Sequence, residues 1–194
     1  MEKNGSSRVS LVACGLILAL MIVNILLVKQ NLTLRRQLSG DGGKAQTLNA
    51  LKAGETLDPL VGTDMNGQPF EVGYRKGGRR HLLFFFSPNC PYCVQQASQW
   101  REVLNQVDDR RLSVVGVVSD REDKKAVLAH AEGAGYLKTK TPLPLAFFND
   151  ASLARYKLTA TPTTLLIDDD GKVEHVWVGK WDEDKASEVA AALK

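Results

Sequence analysis

Apolar positions along this chain fall into three patterns, and each predicts a different element. The first is an unbroken stretch from Val9 to Val28, twenty residues without a charge, in which only Ser10 and Asn24 are clearly polar. As a helix rising about 1.5 Å per residue it spans roughly 30 Å, the thickness of a hydrocarbon core. A core helix would keep one polar face, and none is visible. A cleaved leader would be shorter and end in a small-x-small site, whereas this stretch runs into Lys29-Gln30-Asn31-Leu32. The expectation is an uncleaved transmembrane helix over 9–28 behind a short tail, residues 1–8.

The second pattern is the short apolar run. Leu82–Phe86 is continuously apolar and predicts a strand buried on both faces; Leu112–Val118 predicts another. Two hairpins are marked by their turns, Asn66-Gly67 between Leu60-Val61 and Phe70-Val72, and Asp170-Gly171 between Thr163–Ile167 and Val173–Val178. Leu143–Phe148 reads as a further short strand, after which Asn149-Asp150 caps a turn over Ala151–Tyr156.

The third pattern is helical spacing. Val94, Ala97, Trp100, Val103, Leu104 and Val107 share one side of a helix running from Cys93 to Val107. Ser119-Asp120-Arg121-Glu122 reads as a capping box opening a helix that stops near Gly133. Asp182 caps a last helix ending at Lys194. The order β-α-β-α-β-β-α predicts an α/β domain, a mixed central sheet with helices on both faces, over residues 53–194. Residues 29–52 form a linker, loosened by Ser39-Gly40-Asp41-Gly42-Gly43-Lys44.

Composition narrows the function. Across 194 residues, 44% are hydrophobic and 24% charged, which suits a packed domain rather than disorder. A net charge of +3 without a basic stripe gives no case for nucleic acid. Three cysteines cannot build a disulfide framework, so a close pair among them is better read as working chemistry. Leu11-Val12-Ala13-Cys14 resembles a lipoprotein cleavage box, but the apolar stretch follows it instead of preceding it. Cys14 is therefore read as a small residue of the anchor.

The pair is Cys90-Pro91-Tyr92-Cys93, set after a buried strand and at the start of a helix. Pro91 needs no N–H at a first helical position, so Cys90 falls at the cap. A thiolate there gains from the helix dipole, which lowers its pKa; Cys93 lies a turn deeper. A structural zinc site would need a second ligand pair, and the remaining cysteine is in the apolar stretch. His81, His130 and His175 are scattered without ligand spacing and read as ordinary surface or strand residues. No metal and no cofactor is expected.

Strand, CPYC, helix, then Thr161-Pro162 bounded by a hairpin and a final helix: in this order the features resemble the thioredoxin fold throughout Leu57–Lys194. The inserted stretch Leu112–Phe148 and the apolar segment look most like the tethered TlpA/redoxin group of thiol–disulfide oxidoreductases. Ser87-Pro88-Asn89-Cys90-Pro91-Tyr92-Cys93 is similar to the active-site heptapeptide of MauD-type accessories to methylamine dehydrogenase maturation. The resemblance implies that Cys90 is the exposed nucleophile and Cys93 the resolving thiol. It implies that Thr161-Pro162 is a cis-proline loop presenting backbone to a substrate chain, with Pro91 and Tyr92 alongside. Three positions depart from the family's pattern. Asn89 stands where a Trp usually precedes the first cysteine, Phe84 where thioredoxin buries an Asp, and Gln96 where several relatives carry Glu. Glu71, Asp120 or a water remain as substitutes for those carboxylates, and nothing in the sequence chooses among them.

The expected partners are protein thiols and disulfides and a membrane redox protein that recycles the pair. Lys3 and Arg8 precede the apolar stretch while Lys29, Arg35 and Arg36 follow it, a count that does not favour an external carboxyl end. The chemistry does favour one, because disulfides persist outside the cytoplasm. The expected place is the cytoplasmic membrane, with the domain in the periplasm or exterior. Two other functions stay open. Ser87-Pro88-Asn89-Cys90 resembles a peroxidatic Thr/Ser-Pro-x-Cys motif, although Leu83 stands where that motif has proline. A copper chaperone of the Sco type would use a later His such as His175 but needs three residues between its cysteines.

Overall fold

The computed structural model describes residues 20–30, 50–75, 78–108 and 110–194. It divides into two units, Met1–Asn49 and Ala50–Lys194. In the first, residues 20–30 are helical. The large apolar side chains between Leu20 and Val28 are all more than half exposed, and the Asn24 amide donates to the Leu20 carbonyl at 2.9 Å. The first half of the expected membrane segment, 9–19, lies outside the described residues, as do 1–8 and most of the linker. Among the described residues no helix is long and apolar enough to cross a membrane.

The second unit is built on seven strands: β1 (Leu60–Asp64), β2 (Pro69–Val72), β3 (Arg80–Phe85), β4 (Leu112–Ser119), β5 (Leu145–Phe148), β6 (Thr163–Ile167) and β7 (Val173–Val178). They lie in the order β2-β1-β5-β4-β3-β6-β7. β3 pairs parallel with β4, Leu83 opposite Val115, and antiparallel with β6, Phe85 opposite Thr163. The expected mixed sheet is present. The run Leu82-Leu83-Phe84 is wholly inaccessible because its side chains alternate between two cores. Leu82, Phe84 and Phe86 face one core, Leu83 and Phe85 the other.

Helices α1 (Pro91–Gln106), α2 (Lys124–Ala134) and α4 (Glu183–Ala192) put Trp100, Val127 and Val189 into the first core. α3 (Asp150–Arg155) puts Leu153 into the second. The segment read as a turn over Ala151–Tyr156 is thus a short helix, capped by Asn149 Oδ1, which accepts from the Ser152 amide at 2.9 Å. Both hairpins and the Asp182 cap stand where the sequence puts them.

The capping box at Ser119 is corrected. Ser119 is the last residue of β4, still paired with Phe148, and its hydroxyl accepts from the Arg121 amide in a tight turn. α2 is capped by Asp123, whose carboxylate accepts from the Ala126 amide at 3.1 Å. A residue still held in the sheet ladder cannot turn its side chain to a helix end, so the cap passes to the next acceptor along. The helix ends at Ala134, near Gly133 as expected, with Gly135 as its C-cap in the left-handed geometry at a φ of 77°.

Candidate active site

β3 ends at Phe85, and five residues, 86–90, carry the chain to α1. The Asn89 amide donates to Ser87 Oγ at 3.3 Å and the Cys90 amide to the Ser87 carbonyl at 3.2 Å. Cys90 is the cap residue, extended at φ −86° and ψ 114°, with Pro91 at the first helical position. Its carbonyl receives the amides of Cys93 and Val94 at 3.1 and 3.3 Å. Proline at the helix start leaves one fewer unpaired donor and fixes the cysteine at the tip.

The two thiols are free and differ in exposure. Cys90 is partly exposed, whereas Cys93, on the same helical face as Gln96 and Trp100, is fully buried. Burial pushes the Cys90 thiol up, but hydrogen bonding with Cys93 and Thr161 and with the Cys93 and Tyr92 backbone outweighs it. The net shift is below the ordinary cysteine value. Cys93 is pushed up to about 12, first by burial and then by the hydrogen bond with Cys90. One thiol is primed to ionise and the other is held protonated.

Thr161-Pro162 closes the site from the other side. Because Thr163 opposite Phe85 opens β6 beside the end of β3, the residues before it lie against the residues after Phe86. The Thr161-Pro162 bond is cis, and Cys90 Sγ donates to the Thr161 carbonyl at 3.4 Å. The Pro162 carbonyl accepts from the Gly179 amide at 2.8 Å, tying the loop to the end of β7. Pro91 is exposed, and Tyr92 is 59% exposed next to the nucleophile. All six residues singled out from the sequence therefore meet at one end of the sheet.

The missing carboxylates have specific replacements. Phe84 stacks on Trp100 with ring centroids 4.5 Å apart, and Gln96 Oε1 accepts from the Trp181 amide at 2.7 Å. Glu71 lies on edge strand β2, four strands from β3, on the order of 19 Å at the usual strand spacing. Asp120 is exposed beyond the end of β4, while Cys93 is buried. Neither acid replaces the absent group, and among the described residues no Asp or Glu is buried. Three linked features went unread in the sequence: the Gln96–Trp181 bond, the Trp100 Nε1–Thr164 Oγ1 bond at 3.1 Å, and the buried Tyr136. Only the spacing of Cys93, Gln96 and Trp100 on one helical face hinted at them.

The histidines do not converge. His130, read as an ordinary surface or strand residue, sits on α2 and stacks on Phe86 at 5.2 Å; His175 stacks on Trp177 at 4.9 Å. Among the described residues no group of three His, Cys, Asp or Glu is placed to hold a metal. A cavity of about 410 Å³ lies between α1 and α4, lined by Gln99, Val103, Trp181 and Leu193, and it reaches neither cysteine. A reagent that exchanges disulfides needs an accessible sulfur rather than an enclosed pocket. The unequal pair predicts that near pH 7 iodoacetamide labels Cys90 and leaves Cys93 unmodified in the folded protein. Mass mapping that finds both thiols labelled at equal rates would reject the assignment.

The Redoxin family model matches residues 42–193. No protein of curated function matches the chain by sequence. Solved structures similar to it include the thioredoxin domain of a thiol–disulfide oxidoreductase from Bacteroides vulgatus. It is 18% identical, with 75% of this chain and 100% of that one aligned at a TM-score of 0.58. A secreted Mycobacterium tuberculosis disulfide oxidoreductase homologous to E. coli DsbE is 23% identical over 69% of this chain and 95% of that one, at 0.52. A peroxiredoxin-like protein from Aquifex aeolicus is 18% identical over 75% and 89%, at 0.58. At such identities the likeness is one of fold.

Proposed function

The chain belongs to the Redoxin family and is a thioredoxin-like thiol–disulfide oxidoreductase, and from that premise we propose that it works as a membrane-tethered reagent for protein thiols outside the cytoplasm. The observation that carries the reading is the unequal thiol pair, Cys90 at the tip of α1 against the Thr161 carbonyl and Cys93 buried behind it. Exposed Tyr92 and Val94 flank Cys90, an arrangement that suits an extended polypeptide better than a small enclosed substrate. In the reducing direction the Cys90 thiolate attacks a substrate disulfide, forming a mixed disulfide and releasing one substrate thiolate. Cys93 then attacks Cys90 Sγ, the Cys90–substrate bond breaks, and the second substrate thiol departs with the proton from Cys93. The reverse sequence oxidises a substrate dithiol.

Tethering is supported by the uncharged Val9–Val28 stretch, whose described part is helical and exposed on every side. The likeness of Ser87–Cys93 to the MauD-type heptapeptide favours maturation of a redox enzyme or cytochrome as the task. We place residues 1–8 in the cytoplasm, the anchor at 9–28, the linker at 29–52 and the domain at 53–194, with a membrane redox protein recycling the pair. The exchange reading is tested by mixing the reduced full-length chain with a disulfide-bearing protein and following the thiols of both. Oxidation of Cys90 and Cys93 together, matched by reduction of the substrate, is expected. Rapid consumption of hydrogen peroxide with no exchange would point to the peroxidase instead. For topology, a reporter enzyme active only outside the cytoplasm and fused after Lys194 should be active, and activity of a cytoplasmic reporter there would reverse the assignment.

A further inference from the structure

The buried thiol has to ionise in a core without a carboxylate. While both cysteines are free, Cys93 has Cys90 as a hydrogen-bond partner. In that bond Cys93 is the donor, which raises its pKa, while hydrogen bonding with the Ser87 backbone and Thr161 lowers it. Once the Cys90 sulfur is joined to a substrate, the negative charge forming on Cys93 rests on those two groups and on any further donor in the core. The core around it holds donors without a partner, among them Tyr136 Oη and Gln96 Nε2. Buried polar groups left unpaired are uncommon and call for an explanation, a redox or catalytic role among them.

Tyr136 is the better placed of the two. It opens the short 3-10 turn Tyr136–Lys138, is fully inaccessible, and belongs to the same core layer as Cys93, Phe86 and Trp100. Its ring lies 6.2 Å from that of Trp100 and 6.3 Å from that of Phe86, against the face of α1 that carries Cys93. In the resting dithiol the Tyr136 hydroxyl makes no hydrogen bond to Cys93 or to any other group, which leaves it as a free donor in the core layer that holds the buried sulfur. Burial first, and then negative charge on Cys93, hold the phenol neutral far above its usual range. A neutral phenol can donate a hydrogen bond but cannot take up a proton as a base would. Gln96, with its oxygen committed to the Trp181 amide, has its NH2 group left as a second neutral donor one turn along α1 from Cys93.

We propose that the Tyr136 hydroxyl is a positioning residue for the resolving step, a further donor that stabilises the Cys93 thiolate when the mixed disulfide on Cys90 is broken. The inference rests on the exchange function proposed above. No outside oxidant or base enters: the proton leaves Cys93 for the departing substrate sulfur, and the electron pair of the broken bond goes with that sulfur. The other titratable or charged groups around the pair are Cys90 at the cap, His130 of α2, 6.1 Å from the Tyr136 ring, and Arg101 of α1. From the sheet, β3 and the residue after it bring Phe84 and Phe86, and β6 and β7 bring Thr164 and Trp177, none of which titrates in the working range.

The test is Tyr136→Phe in the full-length chain, which removes one oxygen and keeps the ring. The reduced protein is mixed with excess oxidised glutathione and acid-quenched, and decay of the singly glutathionylated form is followed by mass between pH 6 and 9. The variant should resolve about tenfold more slowly at pH 7, its profile displaced upward by about one unit, since one pKa unit is a tenfold change in thiolate. Alkylation of Cys90 should be unchanged. Thermal stability should be equal or higher, because the deleted hydroxyl had no partner to lose. Decay at the parent's rate with the parent's pH profile overturns the proposal. A parent that forms no glutathione adduct at Cys90 overturns the exchange function beneath it, so the two failures are distinguishable.

Discussion

Cys93→Ala is expected to leave substrate proteins covalently attached to Cys90, with multiple turnover reduced by at least about a thousandfold. Cys90→Ala is expected to stop exchange altogether and to yield no adducts. The two effects differ in kind because the two sulfurs differ in environment. Cys90 is held below the ordinary cysteine value by Cys93, Thr161 and the backbone at the start of α1. Cys93→Ala removes the first of these, and Thr161 and the backbone remain to favour attack by Cys90. Cys93 is pushed up to about 12, which leaves on the order of one part in a hundred thousand as thiolate at pH 7. Alone it is nearly inert; beside a mixed disulfide its proximity to Cys90 compensates. Non-reducing gels of cells carrying each variant, with masses of the trapped species, check the pair. Adducts that form through Cys93 in Cys90→Ala would reverse the roles, and Cys93→Ala that turns over normally would remove the resolving thiol from the mechanism.

Much of the fold was legible because its signals are local. The apolar run Leu82–Phe86 requires burial on both faces, and Asn66-Gly67 and Asp170-Gly171 permit little but tight turns. Cys90-Pro91 marks a helix start from two residues alone. The meeting of Cys90 with Thr161 was legible only through resemblance, since the two are 71 positions apart and joined by the pairing of β3 with β6. Ser119 misled because a capping motif is read without knowing that its first residue is still bound into β4. Glu71 and Asp120 stayed open as acid candidates for the same reason. Strand order, which sends β2 to the sheet edge, is a property of the whole chain. Tyr136 was invisible as a participant, because its role comes from what its hydroxyl lacks, and no residue count reveals a missing partner.

Trp100→Ala is expected to destabilise the domain by about 3–5 kcal/mol, the usual cost of removing a fully buried Trp, a large share of the roughly 5–15 kcal/mol that a domain has. Trp100 is inaccessible, stacks on Phe84, and donates through Nε1 to Thr164 Oγ1. It thereby joins α1 to both β3 and β6, the two strands whose ends bring Cys90 and Thr161 together. Trp100→Phe keeps a ring against Phe84 and loses chiefly the indole N–H and some volume, so its cost should be about 1–2 kcal/mol. Denaturant unfolding of the three proteins gives the comparison, and Trp100→Ala unfolding at the parent's midpoint would discard this account of the core. The same substitution reaches the chemistry through packing. Phe84 fills a position where a carboxylate would need solvation, and with Trp100 it seals the layer in which Cys93 lies. Opening that layer admits water to the buried thiol, lowers its pKa toward the ordinary range by relieving burial, and should make Cys93 react with iodoacetamide at low temperature, where the variant is still folded. A core tryptophan and an absent acid are, in this domain, two parts of one arrangement that keeps the second sulfur silent until the first is occupied.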